Sequence, residues 1–226
     1  MPPPLAIETF DQAAKNRWCK FFPHRVFPDH DVSIYIDGNI KLMRPLDDLL
    51  AAFLSSDADI GLFKHPSRTS VAEELAACVE MGKLSADKAR IVADRLRFYG
   101  ATSNLSTVPF TENGIIFRRH AAPHQGEMME LWWKEYNWVF RDQIALPWVL
   151  QQTQIKVGVW NWSYRTPNLW FLGPVIPHLA NLPAGAIGRL KLFLKVQKLQ
   201  HRRRLALRKI LPPEVAAASL ETFGGT

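Results

Sequence analysis

The chain has 226 residues, 47% hydrophobic and 22% charged, enough for one large domain with its own core. Two cysteines, Cys19 and Cys78, make no disulfide framework and read as two buried thiols of a reducing compartment. The net charge of +7 is uneven: residues 189–209 hold nine Lys or Arg and no acid, leaving 19 bases against 21 acids elsewhere, so a specific nucleic-acid reader is not expected.

The opening "MPPPLAIETFDQ" lacks a basic start and a long apolar run, and no stretch of about 18 apolar residues is present to span a bilayer. A cytoplasmic protein, peripheral at the membrane through its tail, is the expectation. In chain order, "VSIYIDGNIKL" (32–42) starts as a β-prone run and stops at Asp37-Gly38-Asn39, residues that favour a turn. "RPLDDLLAAFLSS" predicts a helix with Pro45 near its first turn, and "DIGLF" (59–63) a second strand ending at His65-Pro66. Two helices follow: "SVAEELAACVEMG", closed by Gly82, and "SADKARIVADRLRFYG", capped by Ser85 and closed by Gly100. "NGIIFRRH" (113–120) is strand-like. "GEMMELWWKEYNWV" and "DQIALPWVLQQ" read as helices, the second kinked at Pro147, and short strands follow near "KVGVW" and "NLWFL". Strands alternating with helices predict an α/β domain with a mixed sheet over residues 1–183. After the Pro/Gly-rich "NLPAGAIG", residues 184–226 form a separate basic segment. Within it, 187–211 predicts an amphipathic helix: Lys191, Lys195, Lys198, Arg202 and Lys209 stripe one side, with Phe193, Val196, Leu207 and Leu211 opposite.

Four clusters carry chemistry. Asp37-Gly38-Asn39 is either a plain strand-end turn or an acid and an amide oxygen placed where open α/β sheets bind ligands and hard cations. His65, Arg68 and Glu74 suit an anionic or polyhydroxylated ligand, or else a helix start with acids at its positive end. Trp132, Trp133, Tyr136 and Trp138 cannot all face one way, so some are core and others free to stack on a sugar. Asp142 and Gln143 open a helix, which favours a carboxylate on dipole grounds and also aims it at the sheet edge. His178 follows a strand-like run, as a ligand or as a structural residue. Nucleotide-binding glycine loops, a nucleophile elbow and paired-cysteine zinc spacings are missing.

The segments "PHRVFPDHDVSIYIDGNIKL", "LFKHPSRTSVAEELAAC", "GIIFRRH" and "LWWKEYNWVFRDQIALPWVL" resemble, in this order, the TOD/MUCI-type glycosyltransferase-like domain family, over roughly residues 15–180. The family is similar to nucleotide-sugar glycosyltransferases of the GT-A fold. The resemblance implies transfer of a hexose from a nucleotide-diphosphate donor, a UDP-sugar, to a glycan or lipid-linked acceptor. It implies a divalent metal, manganese or magnesium, at Asp37 and Asn39 with His178. Asn39 departs from the second acid of the Asp-x-Asp motif. The resemblance puts Arg141, Asp142 and Gln143 where the donor sugar or acceptor is held, with Asp142 the catalytic carboxylate, as general base or as acceptor of a sugar hydroxyl. His65, Arg68 and Glu74 match a further family motif and are read, with Arg141 and Gln143, as substrate-binding. Only about thirty residues precede the turn, so the N-terminal nucleotide-binding region reads as shortened, and a non-catalytic glycosyltransferase-like binding subunit is the alternative. The basic tail suits an anionic membrane surface as a further partner, or else its apolar side packs on the parent domain or a partner protein with the lysines solvated.

Overall fold

The computed structural model describes residues 12–166 and 168–172, and strand residues 223–225; at 12–14 and 223–225 only the backbone is described. Two short helices, α1 (Gln12–Phe21) and α2 (Pro23–Val26), precede strand β1 (Val32–Ile36). Then come β2 (Lys41–Leu42), α3 (Asp47–Ser55), β3 (Ile60–Lys64), α4 (Val71–Glu80), α5 (Ala86–Thr102) and β4 (Thr111–Arg119). Helices α6 (Gln125–Val139) and α7 (Asp142–Gln152) lead to β5 (Val157–Trp160), β6 (Phe171–Leu172) and β7 (Phe223–Gly225). The fold is α/β, as expected.

The main sheet has the order β1-β4-β3-β5-β7, and β2 pairs with β6 in a two-stranded ribbon. Strand β4 is antiparallel to both β1 and β3, while β3 and β5 are parallel. Strands β1, β3 and β5 therefore run the same way, and the beginning of β4 lies at the edge where they end. Side-chain alternation divides the interior in two. On one face Ile60, Leu62, Ile116 and Val157 pack with Phe21, Met128, Trp132 and Val149 of the helices. On the other, Phe63, Phe117 and Trp160 pack with Leu49 and Phe53 of α3. Gly61 lets α3 pack closely on this second face, because a Cβ there would lie 3.0 Å from the Phe53 ring and 3.2 Å from Phe117.

Local signals account for most boundaries. Ser70 and Ser85 accept from the third residue of α4 and α5, Glu73 and Lys88, and Gly82 adopts φ +65° after α4. Helix α5, however, runs through Gly100 to Thr102, where the Trp148 indole donates to the Thr102 hydroxyl at 3.0 Å. Tertiary packing there overrides the low helix propensity of glycine. Helix α7 is buried without interruption from Asp142 to Leu150, and Pro147 lies inside it. Cys78 is buried as expected, but Cys19 is exposed because it faces away from the side of α1 carrying Trp18, Lys20 and Phe21. Among the described residues no helix is long and apolar enough to cross a membrane. The expected helix over 187–211 and the segment boundary at 184 lie outside the described residues.

Candidate functional site

The turn after β1 is held from both sides. The Asp37 amide donates to the Gly114 carbonyl at 2.7 Å, and the Ile40 amide donates to the Asp37 carbonyl at 2.9 Å. The Tyr35 hydroxyl donates to Asp37 Oδ1 at 2.7 Å. Burial, with Asp37 alongside, pushes the Tyr35 hydroxyl well above its ordinary range, so it stays a donor. Glycine is needed at 114: a Cβ there would lie 3.1 Å from Asp37 Oδ2 and collide with the Tyr164 hydroxyl. Asn39 is half-buried two residues on.

At the end of β3 the His65 amide donates to the Phe110 carbonyl at 3.0 Å. Its ring Nδ1 accepts the amides of Ser67 at 3.2 Å and Arg68 at 2.9 Å, which puts the proton on Nε2. That Nε2 is buried and unpartnered. Burial, then the neighbouring Arg68 and Arg165 charges, push the ring down to about 4, so it is neutral at physiological pH. Arg68 pairs with Glu74, a buried acid of α4 that also takes the Cys78 thiol at 3.2 Å and lies 4.0 Å from Arg141.

Helix α6 ends on Phe140, a non-glycine residue at φ +57°, and this left-handed turn presents Arg141 and the start of α7. Asp142, 5% exposed, forms a buried ion pair with Lys20 of α1. Burial alone would raise the Asp142 carboxyl, but Lys20 and Arg17 beside it hold it far below the usual carboxylate range. The Trp132 indole donates to the Asp142 carbonyl at 3.0 Å, and the Gln143 amide to the Thr111 carbonyl at 3.2 Å. The Lys20 ammonium also lies 4.9 Å from the Tyr35 ring centre, and both Lys20 and Arg17 sense the charge of Asp37. Asp142 and Asp37 thus share one pair of cations.

The loop after β5 completes the edge. Ser163 donates to Glu112, and Arg165 approaches the same carboxylate at 3.0 Å. Burial raises the Glu112 carboxyl above its ordinary value, against the pull of Arg165. Asn113 is buried with its amide nitrogen unpartnered. Asp37, His65, Arg68, Glu74, Arg141, Asp142 and Gln143 therefore all lie at the edge where β1, β3 and β5 end, the usual ligand position in α/β sheets. His178 lies outside the described residues. Of the aromatic cluster, Trp132 is fully buried, Trp133 and Tyr136 pack partly against the core, and Trp138 is 53% exposed.

Sequence reasoning missed Arg17, Lys20, Tyr35, Glu112, Asn113 and Arg165. The signal for the first two was faint: a basic pair three residues apart on an otherwise apolar helix face, in "NRWCKFF". The strand expected at 113–120 begins two residues earlier, so Glu112 also lies inside β4.

Among the described residues no group of three or more His, Cys, Asp or Glu is arranged to hold a metal by itself. Asp37 and Asn39 do supply two hard oxygen donors on one turn. That partial set fits a cation whose remaining ligands come from substrate phosphates and water, as magnesium is commonly held.

Residues 8–163 match the family described as TOD1/MUCI70, glycosyltransferase-like domain. The chain is also similar to a "Probable hexosyltransferase MUCI70" of Arabidopsis thaliana, 27% identical over 150 residues, which cover 64% of this chain. The chain spans a quarter (25%) of that relative's length. No solved structure matches it.

Proposed function

Because the chain belongs to the TOD1/MUCI70 glycosyltransferase-like domain family, we propose that the edge formed by Asp37, His65, Arg68, Arg141 and Gln143 binds a nucleotide-sugar donor and transfers its hexose to an acceptor hydroxyl. The observation that carries this reading is convergence. Segments from positions 17 to 165 bring five cations (Arg17, Lys20, Arg68, Arg141, Arg165) and four acids to one sheet edge. Arginine guanidinium groups match the oxygens of a diphosphate, and Arg68, Arg141 and Arg165 keep part of their side chains exposed.

Asp37 and Asn39, with His178 in the same role, would hold a manganese or magnesium ion. Such an ion supplies charge neutralisation for the departing nucleoside diphosphate. Asp142 in this reading is a positioning residue. A carboxylate with depressed proton affinity, buried against Lys20, is a poor general base but a firm support for the cation beneath Asp37. The donor is read as a UDP-sugar and the acceptor as a glycan or lipid-linked glycan.

Calorimetric titration with UDP and with UDP-hexoses, in manganese and in EDTA, tests the proposal. The expected result is metal-enhanced binding that Asp37→Ala weakens at least tenfold while the thermal unfolding midpoint is retained. Binding that ignores Asp37 overturns the metal assignment, and no binding under any condition overturns the donor site. Binding without turnover on any glycan would instead support a non-catalytic glycosyltransferase-like subunit.

A further inference from the structure

Away from this edge, beneath the first two helices, lies a group of polar side chains that the proposed transfer does not use. Arg118 of β4 is fully buried, at 0% exposure, and its Nε, Nη1 and Nη2 all lack a hydrogen-bond partner. Directly across the ladder from it is Ser33 of β1, whose buried hydroxyl is also unpartnered. His120, the residue just past β4, has a ring that also meets the His30 backbone, and its ring centre is 6.3 Å from that of His24 in α2. His24 Nδ1 is unpartnered too, and both histidines sense the Arg118 charge.

Among the described residues no carboxylate pairs with Arg118 itself: Glu130, engaged by Arg25, bears on His24, and Asp31, whose carbonyl accepts the His120 amide, bears on His120. Arg119, the next residue, faces the other side of the sheet and donates to carbonyls at the end of α3. A buried guanidinium without a counter-charge costs several kcal/mol, and five N–H donors without acceptors add to that. The groups beside Arg118 are donors or can become donors: the Ser33 hydroxyl across the ladder, and the imidazole N–H groups that sense its charge. A water molecule satisfies hydrogen bonds but leaves the charge; a negative ion does both.

We propose that Arg118, Ser33 and the His24–His120 pair form a buried binding site for a small inorganic anion of chloride size. The ion is a structural counter-charge that ties α2 to the β1–β4 ladder. Its position on the same sheet face as Tyr35, two residues from Ser33, connects it to the support of Asp37.

The test is thermal unfolding of the full chain as sodium chloride replaces sodium gluconate from 1 to 100 mM at constant ionic strength. The unfolding midpoint is expected to rise saturably by about 5 °C, as for a ligand bound to the native state alone. Arg118→Met should abolish the chloride dependence. Should that variant not fold, Ser33→Ala lowers the apparent chloride affinity severalfold. Crystals soaked in sodium bromide should show an anomalous peak beside the Arg118 guanidinium. A midpoint indifferent to chloride, a dependence kept unchanged in the variants, or no bromide peak at Arg118 overturns the proposal.

Discussion

Lys20 and Asp142 are 122 positions apart and form a buried pair, each balanced first by the other, with Arg17 and Asp37 alongside. Removing one partner leaves an uncompensated charge, which typically costs about 3–5 kcal/mol. Lys20→Met is therefore expected to lower the unfolding free energy by about that amount, and Lys20→Met with Asp142→Leu to recover most of it, both read by urea denaturation. His65 makes a pH prediction. Its folded-state proton affinity is lowered by burial and by Arg68 and Arg165, with Glu73 acting weakly in the other direction. The unfolded chain then takes up the proton first as pH falls. The stability contributed by neutral His65 is full above about 6.5 and is lost as pH falls towards 4. His65→Asn keeps an acceptor for the Ser67 and Arg68 amides and removes the titration. The slope of unfolding free energy against pH between 4 and 6.5 should flatten in that variant, leaving a residue from His24 and His120, which shift the same way.

Among elements, α3 shows how the "FRRH" segment divides its work between the two sheet faces. Helix α3 has no glycine at its end, and its C-cap Ser56 is extended. Its exposed carbonyls are collected by one side chain: Arg119 donates to the carbonyls of Leu54 at 2.8 Å, Ser56 at 3.1 Å and Phe53 at 3.2 Å, and to Ala58 at 3.0 Å. A cation at a helix C-terminus also meets the negative end of the dipole. Arg119→Met is expected to cost about 2 kcal/mol, the scale of a charge-assisted hydrogen bond, and hydrogen exchange should show its loss at the last turn of α3. Ser55 and Ser56 gave no hint of a distant arginine, so the cap was invisible in the local sequence.

For the molecule as a whole, the uneven charge is the leading feature. Without the nine bases of 189–209 the chain would carry −2, so attraction to an anionic surface must come from that segment. Each basic residue near such a surface contributes about 1 kcal/mol, so the expected docking through this segment is salt-dependent and reversible. The full chain is expected to float with phosphatidylserine vesicles at low salt and to remain at the bottom of the gradient once residues 187–226 are deleted. Equal flotation of both would assign the docking to the α/β body instead.

Sequence alone determined what neighbours two to four residues apart can decide. The β-prone run before Asp37, the serine caps at 70 and 85, Gly82 after α4 and the alternation of strands and helices all follow from local backbone preference and side-chain period. The strand-end positions of Asp37 and His65 were legible for the same reason. Strand order was not. Inserting antiparallel β4 between β1 and β3 carries Glu112, Asn113 and Gly114 to the edge where β1 and β3 end. Whether Lys20 meets Asp142, whether Arg118 is buried, and whether Cys19 is not, depend on which helix covers which face of the sheet. Those facts are set by packing between segments a hundred residues apart, and no periodicity along the chain encodes them.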